Sequence, residues 1–112
     1  MRRIVLVLGS EDLEIALLGA LAADYNVSVC HSYDTLFSQP CDVLILDLFL
    51  PGVDGISLLR DCREYSPPTI IALTELLTSD ILQVANDLNI NIMIRKPFSI
   101  SSIAVILAKV QK

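Results

Sequence analysis

The chain is short of nearly everything that marks a metal, redox or membrane protein. Its 112 residues contain one histidine, His31, and three cysteines, Cys30, Cys41 and Cys62. A lone histidine has no second imidazole for a metal site and no nucleophile paired with it. The cysteines are odd in number, form no CxxC and sit in or beside apolar runs, as reduced thiols acting as small hydrophobes do. No apolar run approaches the roughly 18 residues that a membrane helix requires. The start, MRRIVLVLG, has two arginines and an apolar stretch, but that stretch covers only residues 4–8. Glu11, Asp12 and Glu14 follow at once, which is a first core strand running into a helix and not a signal peptide. Basic charge is scarce as well: eight Lys and Arg against thirteen Asp and Glu leave a net charge of −5, which disfavours nucleic-acid binding. These absences predict a cytoplasmic domain that touches neither membrane nor nucleic acid directly.

What the chain has in quantity is apolar residues, 54% of the total, enough to exclude disorder and to fill one core over residues 1–112. Five strand-like runs are present, at residues 4–8, 27–30, 43–46, 69–73 and 91–94. The first, third and fourth are almost continuous in Val, Ile and Leu, as strands buried on both faces are. Helical patterns fill the gaps. Leu13, Leu17 and Leu21 recur at four-residue spacing, with Ala16 and Ala20 on a neighbouring track and three acids in the first turn. A short pattern at residues 33–38 ends at Pro40. Ile56, Leu59 and Arg63 mark a third helix, which Pro67 and Pro68 terminate. The fourth covers residues 79–88 and the fifth residues 99–110. Strand and helix alternate five times, which predicts right-handed crossovers and a parallel sheet covered on both sides. The expected fold is a flavodoxin-like (βα)5 three-layer sandwich.

In such a sheet the ligand site lies outside the carboxyl ends of the strands. Strand one leads into Gly9, Ser10, Glu11 and Asp12. Strand three delivers Asp47 to a turn built from Pro51, Gly52, Asp54 and Gly55. Strand four ends at Thr74, and strand five at Arg95, Lys96 and Pro97. A carboxylate, a hydroxyl and an ammonium converging on one point suit a small anionic group. The carboxylate can act as a nucleophile towards phosphorus, the ammonium can hold a transferred oxygen, and the hydroxyl can donate a further hydrogen bond. The first loop, GSEDLE, lacks the hydroxyl- and glycine-rich cradle that a flavodoxin-type cofactor needs.

With these residues in place, the chain resembles the receiver domain of two-component response regulators. DLFLPGVDG has the spacing of that family's phosphoacceptor segment, with Leu50, Pro51 and Gly55 three, four and eight places after Asp47. Ala72-Leu73-Thr74 resembles the strand-four signature, and Arg95-Lys96-Pro97-Phe98, twenty-two residues beyond Thr74, the strand-five signature. The resemblance covers essentially the whole chain. It implies that Asp47 accepts a phosphoryl group from a histidine kinase and that Thr74 and Lys96 contact that group. Pro97 would follow a cis peptide bond, and Mg2+ would be bound by Asp47 and the Phe49 carbonyl. The implied activity is switching, not enzymatic turnover.

The chain also departs from the family. Gly9 and Ser10 stand where two adjacent acids normally hold Mg2+, which puts the metal in question. Glu11 and Asp12, two places later, are either substitute metal ligands or acids that complement a helix dipole. Glu75 replaces a small residue after Thr74 and brings bulk and negative charge. Met93 takes the place of the switch aromatic on strand five, without a rigid ring. Ile100, Ile103, Val105, Ile106, Leu107 and Val110 surround the fifth helix on more than one side. Either a homodimer forms through the face made by the fourth helix, fifth strand and fifth helix, or the excess faces the sheet. An atypical receiver, acting as an interaction module without phosphorylation, is the alternative function.

Overall fold

In the computed structural model five parallel strands form one sheet in the order β2-β1-β3-β4-β5. Residues 2–30, 41–48, 57, 60–61, 69–88, 90 and 92–110 are described. The strands are β1 (Arg3–Val7), β2 (Asn26–Val29), β3 (Val43–Asp47), β4 (Thr69–Thr74) and β5 (Ile92–Arg95). Among the described residues three complete helices accompany them: α1 (Glu11–Leu21), α2 (Ser79–Asp87) and α3 (Ile100–Val110). Here α2 and α3 are the fourth and fifth helical patterns of the sequence. Of the third pattern, Ser57, Arg60 and Asp61 are helical; the pattern at residues 33–38, His31 and Cys62 lie outside the described residues. Predicted and observed strand ends differ by a residue. The shift that matters is at β3, which runs through Asp47 and makes it the last residue of the strand.

The apolar strands are continuous because each serves two cores. Val5, Val7, Leu44, Leu46, Ile70 and Ala72 build one cluster, against which Ile81 of α2 and its C-cap Leu88 pack. The alternate residues, Ile4, Leu6, Val43, Ile45, Ile71 and Leu73, build the other with Leu17 and Leu21 of α1 and Ile103 and Leu107 of α3. Period-two alternation of side chains therefore puts helices on both faces of the sheet. Each fully buried Leu or Ile contributes about 1.5–3 kcal/mol relative to exposure. In α1 the leucine track is the buried one, while Ala16, Ala20 and Ile15 face water.

The excess of apolar residues on α3 is mostly explained by the sheet. Ile100, Ile103, Ala104, Ile106 and Leu107 all belong to the second cluster. Among the described side chains of that set Val105 is the exception, at 55% exposure; the side chain of Val110 lies outside the described residues. At the amino edge of the sheet, the Arg3 amide donates to Asp42 Oδ2 at 2.8 Å and the Asp42 amide returns to the Arg3 carbonyl at 2.9 Å. That reciprocal pair fixes the start of the β1–β3 ladder, with Ile4 opposite Val43 and Val7 opposite Leu46.

Candidate functional site

The strand order reverses direction between β1 and β3, so the crevice at their carboxyl ends is the place where such sheets bind ligands. Asp47 ends β3 at this point, aligned with Leu73 of β4. Thr74 then ends β4, aligned with Arg95 of β5. Two hydrogen bonds carry the ladder past the strand ends, from the Leu48 amide to the Leu73 carbonyl and from the Lys96 amide to the Thr74 carbonyl. Parallel register thus brings residues 47, 74 and 96 to a common edge, although they are far apart in sequence.

The side chains complete the arrangement. Lys96 Nζ donates to Asp47 Oδ2 at 2.5 Å, in an ion pair whose side chains are 26% and 3% exposed. A carboxylate this buried requires a charged or hydrogen-bonding partner, since an uncompensated charge in a protein interior is costly. Thr74 is fully buried. Its hydroxyl donates to the Leu76 carbonyl at 2.7 Å and accepts from the Leu76 amide at 3.2 Å, closing a local turn after β4. Lys96-Pro97 is a cis peptide bond. Met93 is half-buried against the Val5–Leu46 side of the sheet, aligned with Ala72. Glu75 is exposed beside Thr74.

The first loop is organised differently. Ser10 is the N-cap of α1: its backbone is extended and its hydroxyl accepts from the Leu13 amide at 3.3 Å. Glu11 and Asp12 are exposed in the first helical turn, the dipole-complementing placement. Among the described residues no three His, Cys, Asp or Glu side chains gather in a way that could hold a metal ion. Mg2+ binds through hard oxygen donors in near-octahedral geometry and gives up its water reluctantly. The described donor set at this edge, with Asp47 paired to Lys96, does not fit it. Phe49, Leu50, Pro51 and Gly55 lie outside the described residues.

Sequence reasoning did not anticipate Leu76, whose main chain engages the Thr74 hydroxyl; a backbone partner has no residue-type signal. It also did not assign the cap to Ser10, although a serine directly before an acidic first turn is such a signal. Cys41, just before β3 at the opposite edge, has its thiol pushed up to about 11 by burial and by the neighbouring Asp42 carboxylate. It is a packed thiol, not a nucleophile.

The family model for the response regulator receiver domain matches residues 10–108. The transcriptional regulatory protein BaeR of Escherichia coli is 33% identical over 93 residues, 73% of this chain and 38% of BaeR. The uncharacterized transcriptional regulatory protein YclJ of Bacillus subtilis is 33% identical over 67 residues, 60% of this chain and 30% of YclJ. The chain therefore spans about a third of the length of these relatives. A CheY-like receiver domain from Methanospirillum hungatei superposes with a TM-score of 0.88 at 16% identity, covering 97% of this chain and 92% of its own. That likeness speaks for the fold alone. Together with the family match over most of its length, it makes this chain a receiver domain of the two-component response regulator family.

Proposed function

We propose that Asp47 is a phosphoacceptor, taking a phosphoryl group from a partner histidine kinase and so switching the domain towards an associating state. The observation that carries this reading is the buried Asp47 carboxylate held against Lys96 at the strand edge where Thr74 also ends. In the transfer, an Asp47 carboxylate oxygen attacks phosphorus, the P–N bond of the phosphohistidine breaks, and the imidazole leaves with the electron pair and takes a proton from solvent. The Lys96 ammonium is placed to balance the charge that arrives. Thr74 would turn its hydroxyl from Leu76 to the new oxygen, loosening the turn that displays Leu76 and Leu77, which are 51% and 42% exposed. The domain is on this reading a cytoplasmic switch and not an enzyme.

The associating surface is the α2–β5–α3 face, with a second copy of the chain as its occupant. Leu82 and Val105 are exposed there, and the acids Asp80 and Asp87 on α2 oppose Arg95 and Lys109 in sign. Incubation with an autophosphorylated histidine kinase, followed by intact-mass measurement, tests the acceptor. One phosphoryl adduct is expected, absent from Asp47→Asn; an unchanged adduct in that variant refutes the assignment. A second reading, a phosphorylation-independent interaction module, is favoured by the exposed Glu75 and by Gly9 and Ser10, neither of which carries a carboxylate. It predicts no adduct, with self-association unchanged in Asp47→Ala.

A further inference from the structure

We infer that this receiver pocket is built without a divalent-cation site and that Lys96 supplies the positive charge a metal would otherwise bring to Asp47. The inference rests on Asp47 being the centre of the pocket, and not on its phosphorylation. Three features of the β1–α1 junction carry it. Gly9 has no side chain and Ser10 is uncharged, with its hydroxyl committed to the Leu13 amide as the helix cap. The first turn is closed by the Glu14 amide donating to the Ser10 carbonyl at 3.1 Å, so drawing Glu11 or Asp12 inward would unwind it. Both acids are exposed where they stand and already complement the helix dipole.

On the other side of the crevice, Asp47 Oδ2 is in contact with Lys96 Nζ. A cation bound to that oxygen would have to displace an ammonium or share the oxygen with it at close range. Among the described residues no other acid joins Asp47 there, so two positive groups would face its single carboxylate, and repulsion would set the affinity. Mg2+ would gain one carboxylate while giving up tightly held water, which is a poor exchange. An ammonium loses less on leaving water and is tethered to the fold through β5, so it wins the competition for Asp47.

The test is a titration of the full chain with MgCl2, followed by 1H–15N NMR, with thermal unfolding in millimolar MgCl2 and in EDTA alongside. The expected result is no saturable shift at Leu8, Leu48, Thr74 and Lys96 and the same unfolding midpoint in both buffers. The double variant Gly9→Asp/Ser10→Asp retains a capping side chain, because Asp caps helices as well as Ser does. It should gain a saturable, Mg2+-dependent rise in midpoint. A saturable response in the native chain that vanishes in Asp47→Asn overturns the inference. So does a double variant that binds Mg2+ no better than the native chain, since the missing acids are then not the cause. Neither measurement uses a phosphodonor, so a failure to label Asp47 leaves this result standing, and the reverse holds too.

Discussion

Replacing Lys96 by Met should destabilise the domain far more than replacing Asp47 by Asn, although the two substitutions break the same ion pair. Met keeps most of the apolar stem and removes the charge, which leaves the Asp47 carboxylate, 3% exposed, without its cation. Opposite charges at about 4 Å attract by roughly 4 kcal/mol at the effective dielectric of a partly buried site. Removing one partner of a fully buried pair costs about 3–5 kcal/mol. Lys96 is 26% exposed, so solvent already screens part of the attraction. That lowers the expected cost of Lys96→Met to about 2–3 kcal/mol. Asn at position 47 keeps the shape and drops the charge, and Lys96 can then swing its ammonium into water on a flexible stem. Its cost should stay below about 1 kcal/mol. The double variant should resemble Asp47→Asn, giving a coupling of about 2 kcal/mol in a double-mutant cycle. Urea unfolding followed by circular dichroism in EDTA measures all four corners. Additivity within about 0.5 kcal/mol, or an Asp47→Asn cost equal to that of Lys96→Met, would refute the charge argument.

Other outcomes follow from the packing and the local bonds. Ile103→Ala empties a fully buried position on α3 and should cost about 3 kcal/mol, whereas Val105→Ala on the exposed side should stay within about 0.5 kcal/mol, both by urea unfolding. Thr74→Val removes the hydroxyl that serves both the Leu76 carbonyl and amide, so a loss of about 1–2 kcal/mol is expected in the same assay. Ser10→Ala removes the α1 cap, at about 1 kcal/mol, and slower hydrogen exchange at the Leu13 amide in the variant would contradict the capping assignment. Cys41 has its thiol raised from 9.0 to about 11 in the folded chain. The folded state thus keeps a proton that the unfolded state releases, so this contribution is complete below pH 9.0 and lost as pH rises towards 11. Alkylation of Cys41 in the folded chain should be correspondingly slow at pH 8 and accelerate in urea.

The membership of the family was legible because its signals are local. A strand that ends in Asp47, a turn four residues later and Lys96-Pro97-Phe98 each sit within a short stretch, where spacing alone carries the meaning. The double winding was legible too, since continuous Val, Ile and Leu runs admit few arrangements other than burial on both faces. The first loop was harder. Glu11 and Asp12 read either as substitute metal ligands or as acids that complement a helix dipole. The difference lies in where one hydroxyl and two carboxylates point, and no periodicity records that. The apolar circumference of α3 had the same ambiguity. Which of its residues touch the sheet depends on how far α1 and the strand edge reach around the helix.

Sequence by itself determined the order of the elements, the alternation that sends side chains to two cores, and the residue types available at the carboxyl edge. These depend on neighbours a few positions apart, through backbone geometry and side-chain period. Tertiary structure alone decided that Asp47 meets Lys96 across forty-nine residues and that Thr74 spends its hydroxyl on Leu76. It also decided that Glu11 and Asp12 of α1 stay in solvent while Glu14 is buried. Those outcomes depend on strand register and helix placement, which arise only when the whole sheet assembles and each buried polar group must find a partner.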